Sequence, residues 1–294
     1  LYRLVGSEMC IRDSINSSVL LSKYIKAYTL KMVSKAKASH VGGGLSISDI
    51  LAVLYNNILY FDSQKPLLEN RDRFILSKGH CCAALYATLA LKNFFTMRDL
   101  NSFAQFGSNF MSHASHKVKG VEFSTGSLGH GLPYAVGKAV AAKSRNKKWE
   151  VFVLLSDGEL NEGSNWEATL FASHHNLNNL TIIVDYNKLQ SLTTVEKTIK
   201  IEPLKDKFEA FGCYVSEVNG HDHEELKNSL TKTNKKNSPK VIIAHTVKGK
   251  GVSFMENRVE WHYKSPDQDQ LEMALNEIGC LLYTSDAADD VECV

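Results

Sequence analysis

The chain carries almost no excess charge: 34 lysines and arginines against 32 aspartates and glutamates leave a formal net charge of +2. So small a balance gives no broad basic field for nucleic acid. Long apolar runs are missing too. Stretches such as residues 151–155 fall far short of the ~18 residues that a membrane-spanning helix needs. Among the six cysteines, Cys81 and Cys82 are adjacent and Cys213 stands alone, so there is no C-x-x-C metal spacing. Reduced thiols in a cytoplasmic protein are the simplest expectation. Prolines number five, and no Pro/Gly-rich linker or internal repeat divides the sequence.

What is present is an ordinary globular composition, 44% hydrophobic and 22% charged. Residues 1–14 and 280–294 share no period with the rest and read as non-native or disordered flanks, which leaves one domain over 15–279. Apolar residues at helical spacing (Val19, Leu20, Tyr24, Ile25, Tyr28, Met32) predict a helix over 15–38, which His40-Val-Gly-Gly-Gly44 then breaks. Ser46-x-x-Asp49 predicts a capping box that opens a second helix, running to about Tyr60. Strands are expected at 73–77, 151–156, 181–186, 213–218 and 241–246. Helices are expected between them at 81–95, 132–143, 164–175, 205–211 and 224–233. Short apolar strands alternating with helices give an α/β fold, a doubly wound parallel sheet with helices on both faces.

Such sheets bind ligands beyond the carboxyl ends of their strands. Asp157 and Asn187 each follow a strand and lie one βαβ step apart, so both can reach one edge. A carboxylate and an amide oxygen are hard ligands suited to Mg²⁺, and Gly158 permits close backbone approach by a phosphate. The loop Gly126-Ser127-Leu128-Gly129-His130-Gly131 feeds a helix and can cradle a diphosphate with backbone N–H groups, or be a tight structural turn. Five histidines, His40, His80, His113, His221 and His262, fall at loops expected on that same edge and suggest proton-transfer or hydroxyl-binding groups. His174, His175 and His223 fall on helices and read as structural. Lys248, after the last strand, is either a phosphate contact or a basic surface loop.

In this order the motifs resemble the transketolases, from about residue 15 to 279. The matches are Ser39-His40-Val41-Gly42-Gly43, Leu76-Ser77-Lys78-Gly79-His80, Phe123-Ser124-Thr125-Gly126-Ser127-Leu128-Gly129, Asp157-Gly158-Glu159-Leu160-Asn161-Glu162-Gly163, Trp166-Glu167-Ala168 and Trp261-His262. The resemblance implies thiamine diphosphate and Mg²⁺ as cofactors. Asp157, Asn187 and the Leu189 carbonyl would hold the metal. Gly43, His80, Gly126, Ser127, Leu128, Gly158, Asn187, Lys248 and His262 would contact the cofactor. His40, His80, His113 and His262 would bind ketose hydroxyls and shuttle protons. Three neighbours depart from the family pattern: Ser156 and Tyr263 stand where glycine is common, and Met111-Ser112 where Pro-Gly precedes the histidine. The family's pyrimidine-binding half would follow, and the sequence stops near Gly279 before it, as expected of a natural split subunit or of a truncated fragment. The implied protein is the N-terminal subunit of a split transketolase. It would act on sugar phosphates with a C-terminal partner subunit, self-associating as a heterotetramer. Alternatives are a 1-deoxyxylulose-phosphate synthase-like transferase and a non-catalytic scaffold half.

Overall fold

Alternation along the strands decides the layering. In β2 (Val151–Ser156), Val151, Val153 and Leu155 pack into one apolar cluster, while Phe152 and Leu154 pack into another. A strand buried on both faces must lie inside a sheet covered twice. A computed structural model describes residues 17–234, 236–283 and 290–293. It places β1 (Arg73–Leu76), β2, β3 (Leu180–Tyr186), β4 (Tyr214–Asn219) and β5 (Lys240–His245) in one parallel sheet of order β1-β2-β3-β5-β4. Helices α1 (Ser18–Ala36), α2 (Val41–Val53) and α3 (Cys82–Leu91) supply one cluster. Helices α4 (Gly131–Ser144), α5 (Gly163–His174) and, after the short α6 (Val195–Thr198), α7 (Leu204–Ala210) supply the other. Helices α8 (His223–Thr231) and α9 (Gln268–Ile278) complete the first layer. The expected doubly wound α/β fold is the observed one. No helix of the described residues is long and apolar enough to cross a membrane.

Helix α1 starts at its Ser17 cap, whose hydroxyl accepts from Leu20 N at 3.1 Å, and stops where Lys37 turns left-handed. The predicted break at His40–Gly44 is not one. Only His40 is left-handed (φ 75°); Gly42, Gly43 and Gly44 are buried inside α2. Glycine costs about 1 kcal/mol per helical position, so packing has to compensate. A Cβ on Gly43 would lie 2.7 Å from Cys81 Sγ, and one on Gly44 2.9 Å from Thr29 Cγ2. The run lets α2 press against α1 and the turn after β1. Ser46 and Asp49 are therefore mid-helix and buried, not a capping box. Ser164 lies inside α5, and its hydroxyl donates to Gly129 O at 2.7 Å.

At the flanks, residues 1–14 lie outside the described residues. Within 280–294, strands β6 (Cys280–Tyr283) and β7 (Asp290–Cys293) pair antiparallel, and residues 284–289 and 294 lie outside the described residues. Cys280 is in a disulfide, against the reduced-thiol expectation; Cys81, Cys82 and Cys213 are free.

Asp49, 4% exposed, ties α1, α2 and the β4–α8 turn together. It accepts from Ser22 Oγ and from Lys26 Nζ at 3.0 Å, and His223 Nε2 lies 3.3 Å away. His221 Nε2 accepts from Val247 N at 2.8 Å, so its proton sits on Nδ1, which donates to Asp49 at 2.7 Å. Burial alone would raise the Asp49 carboxyl. The bonds to His221 and His223, the Lys26 charge and Ser22 outweigh burial and hold it well below the carboxylate range. A depressed folded value means stability present above the unfolded value, near pH ~4, and lost as pH falls toward the folded one. Asp49→Ala should lower the unfolding free energy at pH 7 by about 3 kcal/mol, read by urea denaturation, and the gap to wild type should narrow below pH ~4.

Candidate active site

The carboxyl ends of β1, β2, β3 and β5 converge on a cavity of about 290 Å³. Its floor is a buried ion pair. Lys78, just past β1, donates to Asp185, the penultimate residue of β3; the two side chains are 1% and 0% exposed. Asp185 also accepts from Thr246 Oγ1 after β5, from Ser46 Oγ of α2 at 2.8 Å, and from Asn187 Nδ2 at 2.9 Å. Burial opposes both charges. Mutual attraction and these bonds prevail, so the Lys78 ammonium is held above the usual lysine value and the Asp185 carboxyl below its own.

Asp157 follows β2 and is 1% exposed. It accepts from Gly158 N at 2.7 Å and from Lys188 N at 2.5 Å. These bonds do not offset burial and the neighbouring Asp185 charge, which push its carboxyl up to about 7. Asn187 Oδ1 accepts from Leu189 N at 3.1 Å. Lys248 Nζ lies 3.3 Å from Leu189 O, 3.1 Å from Gln190 O and 3.0 Å from His262 Nδ1. Burial, then Lys78, lowers its ammonium to about 8. A carboxylate short of a counter-charge, an amide oxygen and a carbonyl that already draws an ammonium form a cation-binding donor set. Among the described residues there is no cluster of three His, Cys, Asp or Glu ligands, so any cation here relies on this mixed set.

Four of the five expected histidines meet at the cavity. His40 lies 5.1 Å from His80, 5.7 Å from His113 and 4.9 Å from His262, ring centre to ring centre. The left-handed His40 makes this possible, its N–H donating to His262 O at 2.7 Å. Burial, followed by the charges of His113, Lys248 and Lys78, lowers His40 to about 4; burial and Lys248 lower His262 to about 3. His80 is held well below the usual value, first by burial and then by Lys78, and burial lowers His113. At neutral pH the arc is uncharged, able to donate and accept hydrogen bonds to hydroxyls.

Gly43, Gly126, Leu128, Asp157, Gly158, Asn187, Leu189 and Lys248 line the same cavity. Ser127 does not; it is exposed. His221 is not at the cavity either, because it serves Asp49. His223, expected to be structural, bonds Ser18 and Asp49. The sequence reading overlooked Glu159 as a positioning group. Fully buried, it accepts from Ser77 Oγ at 2.5 Å and Gly129 N at 2.9 Å, clamping the glycine loop to β1. Gly126 has φ 155° and faces the His113 ring, where a Cβ would stand 2.9 Å from Cδ2.

Residues 17–284 match the family model described as transketolase, thiamine diphosphate binding domain. The chain is 42% identical to one of the named subunits of the apulose-4-phosphate transketolase of Phocaeicola vulgatus, over 85% of this chain and 89% of that one. It is 36% identical to the 6-deoxy-6-sulfo-D-fructose transketolase subunit SqwG of a Clostridium species, over 86% and 93%. The solved transketolase of Campylobacter jejuni superposes with a TM-score of 0.83 at 33% identity, over 90% of this chain and 42% of that one.

Removing one partner from a buried pair strands the other charge. Lys78→Met should cost about 3 kcal/mol or more of unfolding free energy, and adding Asp185→Asn should recover part of it. Denaturation of both single variants and the double variant measures the coupling; strictly additive losses would show that Lys78 does not support Asp185.

Proposed function

The chain belongs to the transketolase family of transferases, and we propose that it is the N-terminal subunit of a two-chain member, holding thiamine diphosphate through Mg²⁺. Its reaction is transfer of a two-carbon ketol unit from a ketose phosphate to an aldose phosphate. One observation carries the reading: Asp157, Asn187 and the Leu189 carbonyl share a cavity with Lys248 and an arc of four neutral histidines. A scaffold that had lost the chemistry would have no use for Asp157, left 1% exposed with no cation at hydrogen-bond distance among the described residues.

The residues fit the group. Asp157, Asn187 and Leu189 O would hold Mg²⁺, and Gly158 N–H, the 126–128 loop and Lys248 would face the diphosphate. Bound thiamine diphosphate supplies the electron sink that lets the bond beside a ketose carbonyl break. The chain supplies position and proton traffic. With protonated Lys248 donating to His262 Nδ1, the His262 Nε2 carries a proton and can donate to a substrate oxygen. His40, His80 and His113, held neutral, can accept a proton from a sugar hydroxyl or bind it without transfer.

The relatives named as subunits match this chain over nearly their whole length, whereas it spans about two fifths of the Campylobacter jejuni chain. That supports a separate partner subunit carrying the pyrimidine-binding half; an assembly of two copies of each half is part of the proposal. Sugars of the apulose or sulfofructose kind are candidate donors, since the named relatives act on them.

Calorimetry of the chain with its partner should show thiamine diphosphate binding that requires Mg²⁺. Asp157→Ala should weaken it by more than the ~10–100-fold loss typical of an outer-shell partner. Absence of Mg²⁺-dependent binding by wild type would overturn the reading.

A further inference from the structure

Gln190 holds a buried amide nitrogen that bonds nothing. Its Nε2 is shielded from solvent and lacks a hydrogen-bond partner; of the side-chain atoms in that condition among the described residues, it alone belongs to a residue lining the site cavity. Such an atom costs roughly as much as a lost hydrogen bond unless a ligand completes it.

Its place is fixed. The Gln190 N–H donates to Thr193 O at 2.9 Å, and its carbonyl lies 3.1 Å from Lys248 Nζ. Both backbone groups are occupied, which fixes the point on the loop from which the side chain extends. The side chain crosses Gly158: a Cβ there would stand 2.9 Å from Gln190 Cγ and 3.3 Å from Nε2. The amide thus lies against Gly158, one of the glycines that line the cavity, where no side chain fends off a ligand. The Lys248 ammonium donates to the carbonyl of the same residue. An N–H₂ group beside an ammonium and a bare glycine wants an acceptor with negative charge.

We propose that Gln190 is a diphosphate-binding residue, its side-chain amide donating to an anionic phosphate oxygen above Gly158. This rests on the cofactor reading of the preceding subsection and adds to it a contact outside the motifs that carry the family resemblance. The amide also closes the cavity over the phosphate end, so it positions the cofactor while taking no part in proton transfer.

The test is calorimetry of inorganic diphosphate with Mg²⁺, and separately of thiamine diphosphate with Mg²⁺, on the full chain assembled with its partner subunit. Gln190→Met keeps the volume and removes the donor; it should weaken both ligands by about tenfold. Gln190→Glu replaces the donor with an anion and should weaken both further. The thermal midpoint of each ligand-free variant should match wild type, which separates lost binding from lost folding. Wild-type affinity for both ligands in Gln190→Met overturns the proposal. Tighter Mg²⁺ binding by Gln190→Glu also overturns it, since the amide oxygen would then be the group facing the site. If wild type binds neither ligand, the cofactor reading falls and takes this contact with it.

Discussion

The strand ends are organised around the carboxylate of Asp185. Four groups from four places in the chain donate to it: Lys78 after β1, Ser46 in α2, Asn187 after β3 and Thr246 after β5. A buried ion pair contributes little net stability, because desolvation cancels most of the attraction. Its value here is geometric. A charge in low dielectric tolerates few arrangements, so each donor is held in register, and each stands within a few residues of a group that lines the cavity. Displacing one of the four leaves a buried charge short of a partner, which costs more than the bond is worth.

The same arrangement sets the charges of the site. Lys78 lies beneath the cavity and Lys248 beside it, and the two ammonium groups, with burial, keep the imidazoles neutral. Asp185 is satisfied by its donors, whereas Asp157 has only two backbone N–H groups and sits in the field of Asp185. One carboxylate is held ionised, and the other is driven toward neutrality by burial and then by its neighbour's charge. That asymmetry separates a structural acid from one that gains by meeting a cation.

Most of the sheet is legible in the sequence because buried parallel strands are short apolar runs; β2 has the bounds that its apolar run predicts. The misreadings share a cause. Ser46-x-x-Asp49 is a good local cap, yet both side chains have tertiary partners, and the helix passes through them. Three glycines read as a break because the close faces of α1 and the Cys81 turn are not visible in one dimension. His221 follows a strand, as the site residues do, but β5 inserts between β3 and β4 and makes β4 the sheet edge. Its histidine therefore turns to Asp49, and strand order cannot be read from hydropathy. Lys78 and Asp185 are recognisable as a pair in principle: an aspartate inside a fully buried strand requires a partner. Gln190 gives no signal, since an unpartnered amide is a property of packing.

The rim of the cavity carries the last constraint. Tyr263 lines the cavity at 58% exposure, and Met111 and Leu192, near the lining residues His113 and Ser191 in sequence, are 53% and 80% exposed. Leaving large apolar side chains in water forgoes roughly 1.5–3 kcal/mol each relative to full burial. A covering surface would recover part of that. The same cover would expel water from the histidine arc, where electrostatic contacts strengthen as the dielectric falls. The proposed pyrimidine-binding half would do both in one event, so that its docking and completion of the reaction chamber are the same step. Binding energy from the rim would then be spent on excluding water from a site whose metal and diphosphate end this chain is proposed to hold.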